Sequence, residues 1–196
     1  MFTSEQSCTV VNMDVRPPRS LLSVAAEVLT ADPTASLADV AAAAGIGRTT
    51  LHKRYPRRED LLLAVGHQAV ELLAEDIKLA YLPTSGTAEL ATAALRTLVT
   101  LLIRSGPQVN FLLRHPSIDA DEELSAALTA LDEPMTAFVR HAQAVGVLNP
   151  ALAPWWVISI LYSVTYSAWE AVNTGRLALL DSPELAFDTL IQGVGG

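Results

Sequence analysis

A chain of 196 residues, 51% hydrophobic and 17% charged, can form one globular domain or a small domain joined to a larger one, and is too apolar to be disordered or low-complexity. Its single cysteine, Cys8, excludes an internal disulfide framework and a cysteine-based zinc site, so a reducing, cytoplasmic setting is expected. The formal charge of −8 is uneven: residues 1–15 carry −2, residues 16–58 carry +4, and residues 59–196 carry −10. A basic block on an acidic chain suits a polyanion, because phosphate contacts need clustered Lys and Arg and not a basic whole. Ordinary solvation of a surface is the alternative reading of the same charges.

Residues 1–15 lack a positive start and a long apolar run, so they read as a disordered tail and not as a signal peptide. After Pro17-Pro18, Leu21, Leu22, Ala25, Val28 and Leu29 recur at helical spacing, and Asp32-Pro33 ends that helix. Ser36-Leu37-Ala38-Asp39 has the form of a capping box opening a short alanine-rich helix over 37–44, which Gly45 stops. Gly47 opens a third, basic helix over 48–55, and Pro56 ends it. Two short helices joined by a tight glycine turn describe a helix-turn-helix.

Glu59 and Asp60 then suit the start of a long helix to about Tyr81, and residues 87–104 form the next. Gly106-Pro107 starts a short helix ending near His115-Pro116. Residues 120–145 are helical in pattern, with Pro134 expected to kink or split them. Helices over 151–173 and 182–192 complete the chain. No convincing alternating stretch appears, so the expected fold is all-α: a three-helix helix-turn-helix domain over 16–58, then a larger helical ligand-binding and dimerisation domain over 59–196.

From Ala142 to Trp169 there is no charged residue or histidine, a length that raises a membrane span, but Gly146, Asn149, Pro150 and Pro154 interrupt it and a span is not expected. A helix apolar nearly all round is one buried nearly all round. One stripe of it carries Trp156, Ile160, Ser163 and Ser167, and the last helix adds Phe187, Leu190, Ile191 and Val194. Two such helices suggest a four-helix interface between two copies, the alternative being the core of a monomer.

Residues 19–62 resemble the DNA-binding domain of TetR-type transcriptional regulators. The resemblance is carried by RSLLSVAAEVL, SLADVAAAAGIG and RTTLHKRYPRREDLL, and above all by the pattern A-x-x-A-G-I-x-x-x-T-L-x-x-x-Y-P-x-x-E-D-L-L. It implies a homodimer whose recognition helices enter the major groove of a double-stranded operator, and a C-terminal domain that binds a small-molecule effector and releases the DNA, usually relieving repression. The chain departs from the family pattern at Gly47, where Ser or Thr is usual, at His52, where Tyr is usual, and at Arg54, where an aromatic is common. These departures imply a changed operator preference.

On that helix, Arg48, Thr49, His52 and Lys53 are placed to meet base edges, with Arg able to pair bidentately with guanine. Thr50, Arg54 and Arg58 suit phosphates, as does Ser36 beside a helix start, while Leu51 and Tyr55 are expected to point inward. Candidate effector contacts are Arg104, Asn110, Phe111, Arg114, Met135, Phe138, Tyr162 and Trp169, which mix aromatic walls with polar handles. The two arginines suit an anion, whereas the acidic balance suits a cation, and the class stays open. His52, His67, His115 and His141 show no metal-ligand spacing, and neither a phosphate loop nor a nucleophile elbow occurs. No enzyme, metal or cofactor is therefore expected. The rival is a helical small-molecule-binding protein without sequence-specific DNA binding.

Overall fold

The computed structural model describes residues 20–115 and 121–196. The expected N-terminal tail over 1–15 lies outside the described residues, as do residues 16–19 at the start of the basic block. Among those described there are nine α-helices and no strand, in agreement with the all-α expectation: α1 (Leu21–Ala31), α2 (Leu37–Ala43), α3 (Arg48–Arg54), α4 (Arg58–Leu79), α5 (Ala88–Arg104), α6 (Gly106–Arg114), α7 (Glu122–Ala144), α8 (Pro154–Asn173) and α9 (Ser182–Val194). An isolated bridge between Leu148 and Gly195 ties the end of the chain to the α7–α8 connection.

Local chemistry sets the boundaries. Ser20 caps α1 by accepting from the Ser23 N–H, and Thr87 and Asp121 cap α5 and α7 in the same way. At α2 both halves of the capping box form: the Ser36 hydroxyl accepts from the Asp39 N–H, and the Asp39 carboxylate accepts from the Ser36 N–H. Gly45, at φ +67°, makes the left-handed step between α2 and α3 that a side chain would strain. Of the expected kink or split at Pro134, the split does not occur: α7 runs through it unbroken. Both Pro134 and Ala130 are exposed, so water can take the carbonyl that the missing N–H leaves free.

Two apolar cores follow. The first joins Ala25, Ala26 and Leu29 of α1, Val40 and Ala41 of α2, Leu51 and Tyr55 of the third helix, and Leu61, Leu62, Val65 and Val70 of α4. Phe111 from α6 and Leu124 from α7 enter this same core. The second is built from Leu73 and Ile77 of α4, most of the inward faces of α5 and α7, and residues of α8 and α9. α4 thus belongs to both, and α6 packs against α1 and α4 on one side and α8 on another.

Phe111 is fully buried in a core otherwise made by the N-terminal helices. Phe111→Ala is expected to lower stability by about 3–5 kcal/mol through lost transfer energy and a residual cavity. Urea unfolding followed by far-ultraviolet circular dichroism measures this, with an unchanged slope marking an intact fold.

Candidate nucleic-acid interface

The first core fixes the orientation of α3. Leu51 is 1% exposed and Tyr55 9%, so the inward side of this seven-residue helix is settled by burial. Arg48, Thr49, Thr50, His52, Lys53 and Arg54 are all exposed on its remaining surface. Neither Arg48 nor Lys53 forms an ion pair among the described residues, and α3 contains no carboxylate. The Arg54 guanidinium lies 5.6 Å from the Tyr55 ring centroid. Gly47 caps the helix without a side-chain hydrogen bond, leaving the first N–H groups of α3 without a hydroxyl partner.

Other cations of the basic block are engaged within the chain. Arg57 pairs with Asp60 at 2.7 Å, and that pairing holds the Asp60 carboxyl below the usual carboxylate range. Arg58 was assigned to phosphates from sequence, but its Nη2 donates to the Pro33 carbonyl at 2.6 Å and its Nε to the Ala35 carbonyl at 3.3 Å. Its guanidinium therefore fastens the α1–α2 turn to the start of α4. Ser36 is exposed, yet its hydroxyl donates to Asp39 at 2.7 Å, and this bond holds the Asp39 carboxyl low. A phosphate at Ser36 would meet that negative charge.

The eight candidate effector contacts are spread over both cores and the surface. Met135 and Phe138 are buried in the second core and Phe111 in the first, because large apolar side chains at close-packed density fill space instead of lining it. Arg104 and Arg114 are exposed. Two open grooves, of about 390 and 430 Å³, are lined by Ala74, Ile77, Lys78, Tyr81, Leu82, Leu131 and Pro134, and by Thr129, Asp132, Glu133, Thr136, Ala137 and Arg140. None of the eight lies on either.

Two of them, Arg114 and Trp169, do meet at the contact between α6 and α8. Gly106 packs directly beneath the half-buried Trp169 indole, at a place where a Cβ would collide with the ring. Arg114 sits 5.5 Å from the Tyr166 ring centroid, and Tyr166 and Trp169 are 5.7 Å apart. Asn110, 2% exposed, has an Nδ2 with no hydrogen-bond partner among the described residues. Burial pushes the Tyr162 phenol up to about 12, with the Asp132 charge adding to it. Sequence reasoning missed two neighbours: Tyr166, and Asp76 of α4, whose carboxylate accepts a 2.5 Å bond from Ser105 just before Gly106. Burial raises the Asp76 carboxyl above its ordinary value, Ser105 opposing the shift.

The expected dimer face divides. Trp156 at 45% exposure, Ser163 and Ser167 are exposed and Ile160 is half-buried. Phe187, Leu190 and Val194 are instead turned into the second core, with Ile191 packed against it, because α9 needs its one apolar stripe to hold onto α5 and α8. The outward side of α9 carries Leu185, Asp188, Thr189 and Gln192. Among the described residues no helix is long and apolar enough to cross a membrane.

The chain is 38% identical over 160 residues to the HTH-type transcriptional repressor LfrR of Mycolicibacterium smegmatis, spanning 82% of this chain and 81% of that one. The chain belongs to the TetR-like family of transcriptional regulators. A solved structure of LfrR from Mycobacterium smegmatis in complex with proflavine superposes with a TM-score of 0.70 at 34% identity, covering 90% of this chain and 94% of that chain. The ketosteroid transcriptional regulator KstR2 of Mycobacterium tuberculosis, 14% identical with a TM-score of 0.62 over 90% and 93% of the two chains, shares the fold. No family model matches the chain. The relatives are transcriptional regulators, and this TetR-like chain is one of them and not an enzyme.

Asp76 is a partly buried carboxylate whose folded-state value lies above its unfolded one, so the charged form opposes folding at neutral pH and the opposition fades as pH falls through the raised value. Asp76→Asn is expected to raise the thermal midpoint at pH 7. The gain should shrink as the pH drops toward the ordinary carboxylate range, where the wild-type side chain is itself neutral. Calorimetric melts at the two pH values test it.

Proposed function

We propose that this TetR-like chain is a homodimeric repressor that reads a double-stranded DNA operator with α3 and releases it when a small aromatic molecule binds the C-terminal helices. The observation that carries the reading is the exposed, unpaired state of Arg48 and Lys53 on a helix whose other side is locked into a core. Arg48 offers a bidentate fork for guanine, and Lys53, His52 and Thr49 extend the contact along the groove. Thr50 and Arg54 are assigned to flanking phosphates. The bonds that Arg58 and Ser36 already make assign them to holding α2 and α4 in place for that contact. The acidic remainder of the chain disfavours DNA lying along any other face.

Dimerisation is assigned to the outward side of α8. Trp155 and Trp156 are 66% and 45% exposed, and Ser159, Ser163 and Ser167 make a smooth exposed row behind them. Small residues along a helix let a second helix approach closely, and two exposed indoles at one end supply anchors of large apolar area. The proflavine complex of LfrR supports an aromatic effector here.

Two experiments follow. Fluorescence anisotropy of the full chain against DNA flanking its own gene, with a scrambled duplex as control, is expected to show preferential, salt-sensitive binding, which Arg48→Ala weakens roughly tenfold without altering the circular dichroism. Binding no better than to scrambled DNA, with no sequence enriched from genomic fragments, would replace this reading with that of a small-molecule binder. Separately, Ser163→Arg is expected to convert a dimer to a folded monomer in sedimentation velocity, since it places a long cation in the middle of the row.

A further inference from the structure

Of the exposed side chains on α3, His52 is the one of a type that ordinarily changes charge between pH 5 and 8. At 3.6 residues per turn each residue advances by about 100°, which fixes the order around the helix. Starting from the buried Leu51 and Tyr55, that order is Arg48, His52, Thr49, Lys53, Thr50 and Arg54. His52 therefore stands between the cations Arg48 and Lys53, in the middle of the strip assigned to base edges. Its proton decides whether this strip carries a third positive charge.

The charged groups on the neighbouring helices are few and mostly committed. α2 carries Asp39 alone, whose carboxylate accepts from the Ser36 N–H and hydroxyl, and α1 carries Glu27 alone. At the start of α4, Arg57 pairs with Asp60, Arg58 donates to the Pro33 and Ala35 carbonyls, and Glu59 is exposed. α3 itself has no carboxylate to hold an imidazolium. DNA supplies what the helix lacks. A neutral imidazole has one donor and one acceptor, whereas an imidazolium donates from both nitrogens. The major-groove edge of guanine presents two acceptors, N7 and O6, and the phosphates on either side add negative charge. Both favour the protonated form in the complex.

We infer that His52 is a proton-linked DNA contact: it takes up a proton as α3 docks, so the chain holds its operator more tightly as the pH falls from 8 to 6. This deepens the operator reading above and rests on it. The sign follows from linkage. The complex favours the protonated form, so the gain in affinity is complete where the free side chain is already protonated and is lost as the pH rises through the titration of the complex. His115 has the opposite sign. Burial, and after it the charge of Arg58, hold its imidazole below the ordinary value where it stacks on Phe111, so protonating it opposes the packed arrangement and weakens DNA binding at low pH. The direction of the response therefore tells the two histidines apart.

The test is fluorescence anisotropy of the full chain against its operator, enriched from genomic fragments, at pH 6, 7 and 8 and constant ionic strength. One linked proton changes affinity by up to about tenfold per pH unit, and a dimer has two recognition helices, so the wild-type Kd is expected to rise at least about tenfold from pH 6 to pH 8. His52→Gln, checked for fold by circular dichroism, is expected to bind at every pH no more tightly than wild type does at pH 8, with Kd changing less than about threefold. His52→Lys, which keeps a cation at the position, is expected to be equally flat, and His115→Gln to keep the wild-type dependence. Calorimetric titration in two buffers of different ionisation enthalpy counts the protons directly: uptake on binding at pH 7, absent in His52→Gln. Operator binding by the wild type that is indifferent to pH would overturn the proposal and leave the operator reading standing, as would a dependence that survives in His52→Gln or His52→Lys. Absence of any operator preference from pH 6 to pH 8 sinks both.

Discussion

The architecture depends on the burial of one ring. Phe111 belongs by sequence to the C-terminal helices, yet it completes the core of the N-terminal ones. A nine-residue helix such as α6 has little stability of its own, so its position is set by what it packs against. On one side that is α1 and α4, and on the other α8. His115 at its end stacks on Phe111 at 4.3 Å, and burial holds its imidazole below the ordinary value. A helix held from two sides by apolar contact shifts as a unit, because a close-packed interface has few intermediate arrangements.

Charge is distributed to match. The net +4 of residues 16–58 overstates what α3 presents and understates how the rest is used. Arg57 is paired with Asp60, and Arg58 is spent on two carbonyls of the α1–α2 turn. Among the described residues what remains open, Arg48, Lys53 and Arg54, is concentrated on one short helix. A small basic face on a strongly acidic body orients an approaching polyanion more sharply than a uniformly basic protein of the same local charge.

Most of the fold was legible because its signals are local. The capping box at Ser36, the glycine turn at Gly45 and the proline start of α6 each act within a few residues, and each lies where the pattern placed it, whereas α8 opens at Pro154 and not near residue 151. Pattern alone left open whether Pro134 kinks or splits α7, because whether a proline breaks a helix depends on solvent access to the freed carbonyl, which sequence does not carry. The same limit governs the site residues. The inward side of α3 followed from periodicity, whereas the engagement of Arg58 depends on carbonyls more than twenty residues away. The stripe on α9 was correctly read as buried but assigned to a second copy, because periodicity says that a face is covered and not by what. Asp76 gave no signal, being an ordinary polar residue of an amphipathic helix until Ser105 is laid against it.

The two hydrogen bonds of Arg58 carry a consequence for how sequence variation in this chain reads. The residue sits in the most basic stretch of the chain, where an observer counting cations would give it the same role as its neighbours. Its donors, however, are matched to two carbonyl oxygens in different directions, a task that the fork of a guanidinium meets and the single ammonium of a lysine does not. Within one run of positive residues, then, exchange between arginine and lysine is neutral at a position that merely offers charge and damaging at this one. Tolerance to that exchange, position by position, is a chemical fingerprint that separates cations facing a partner from cations that build the frame behind them.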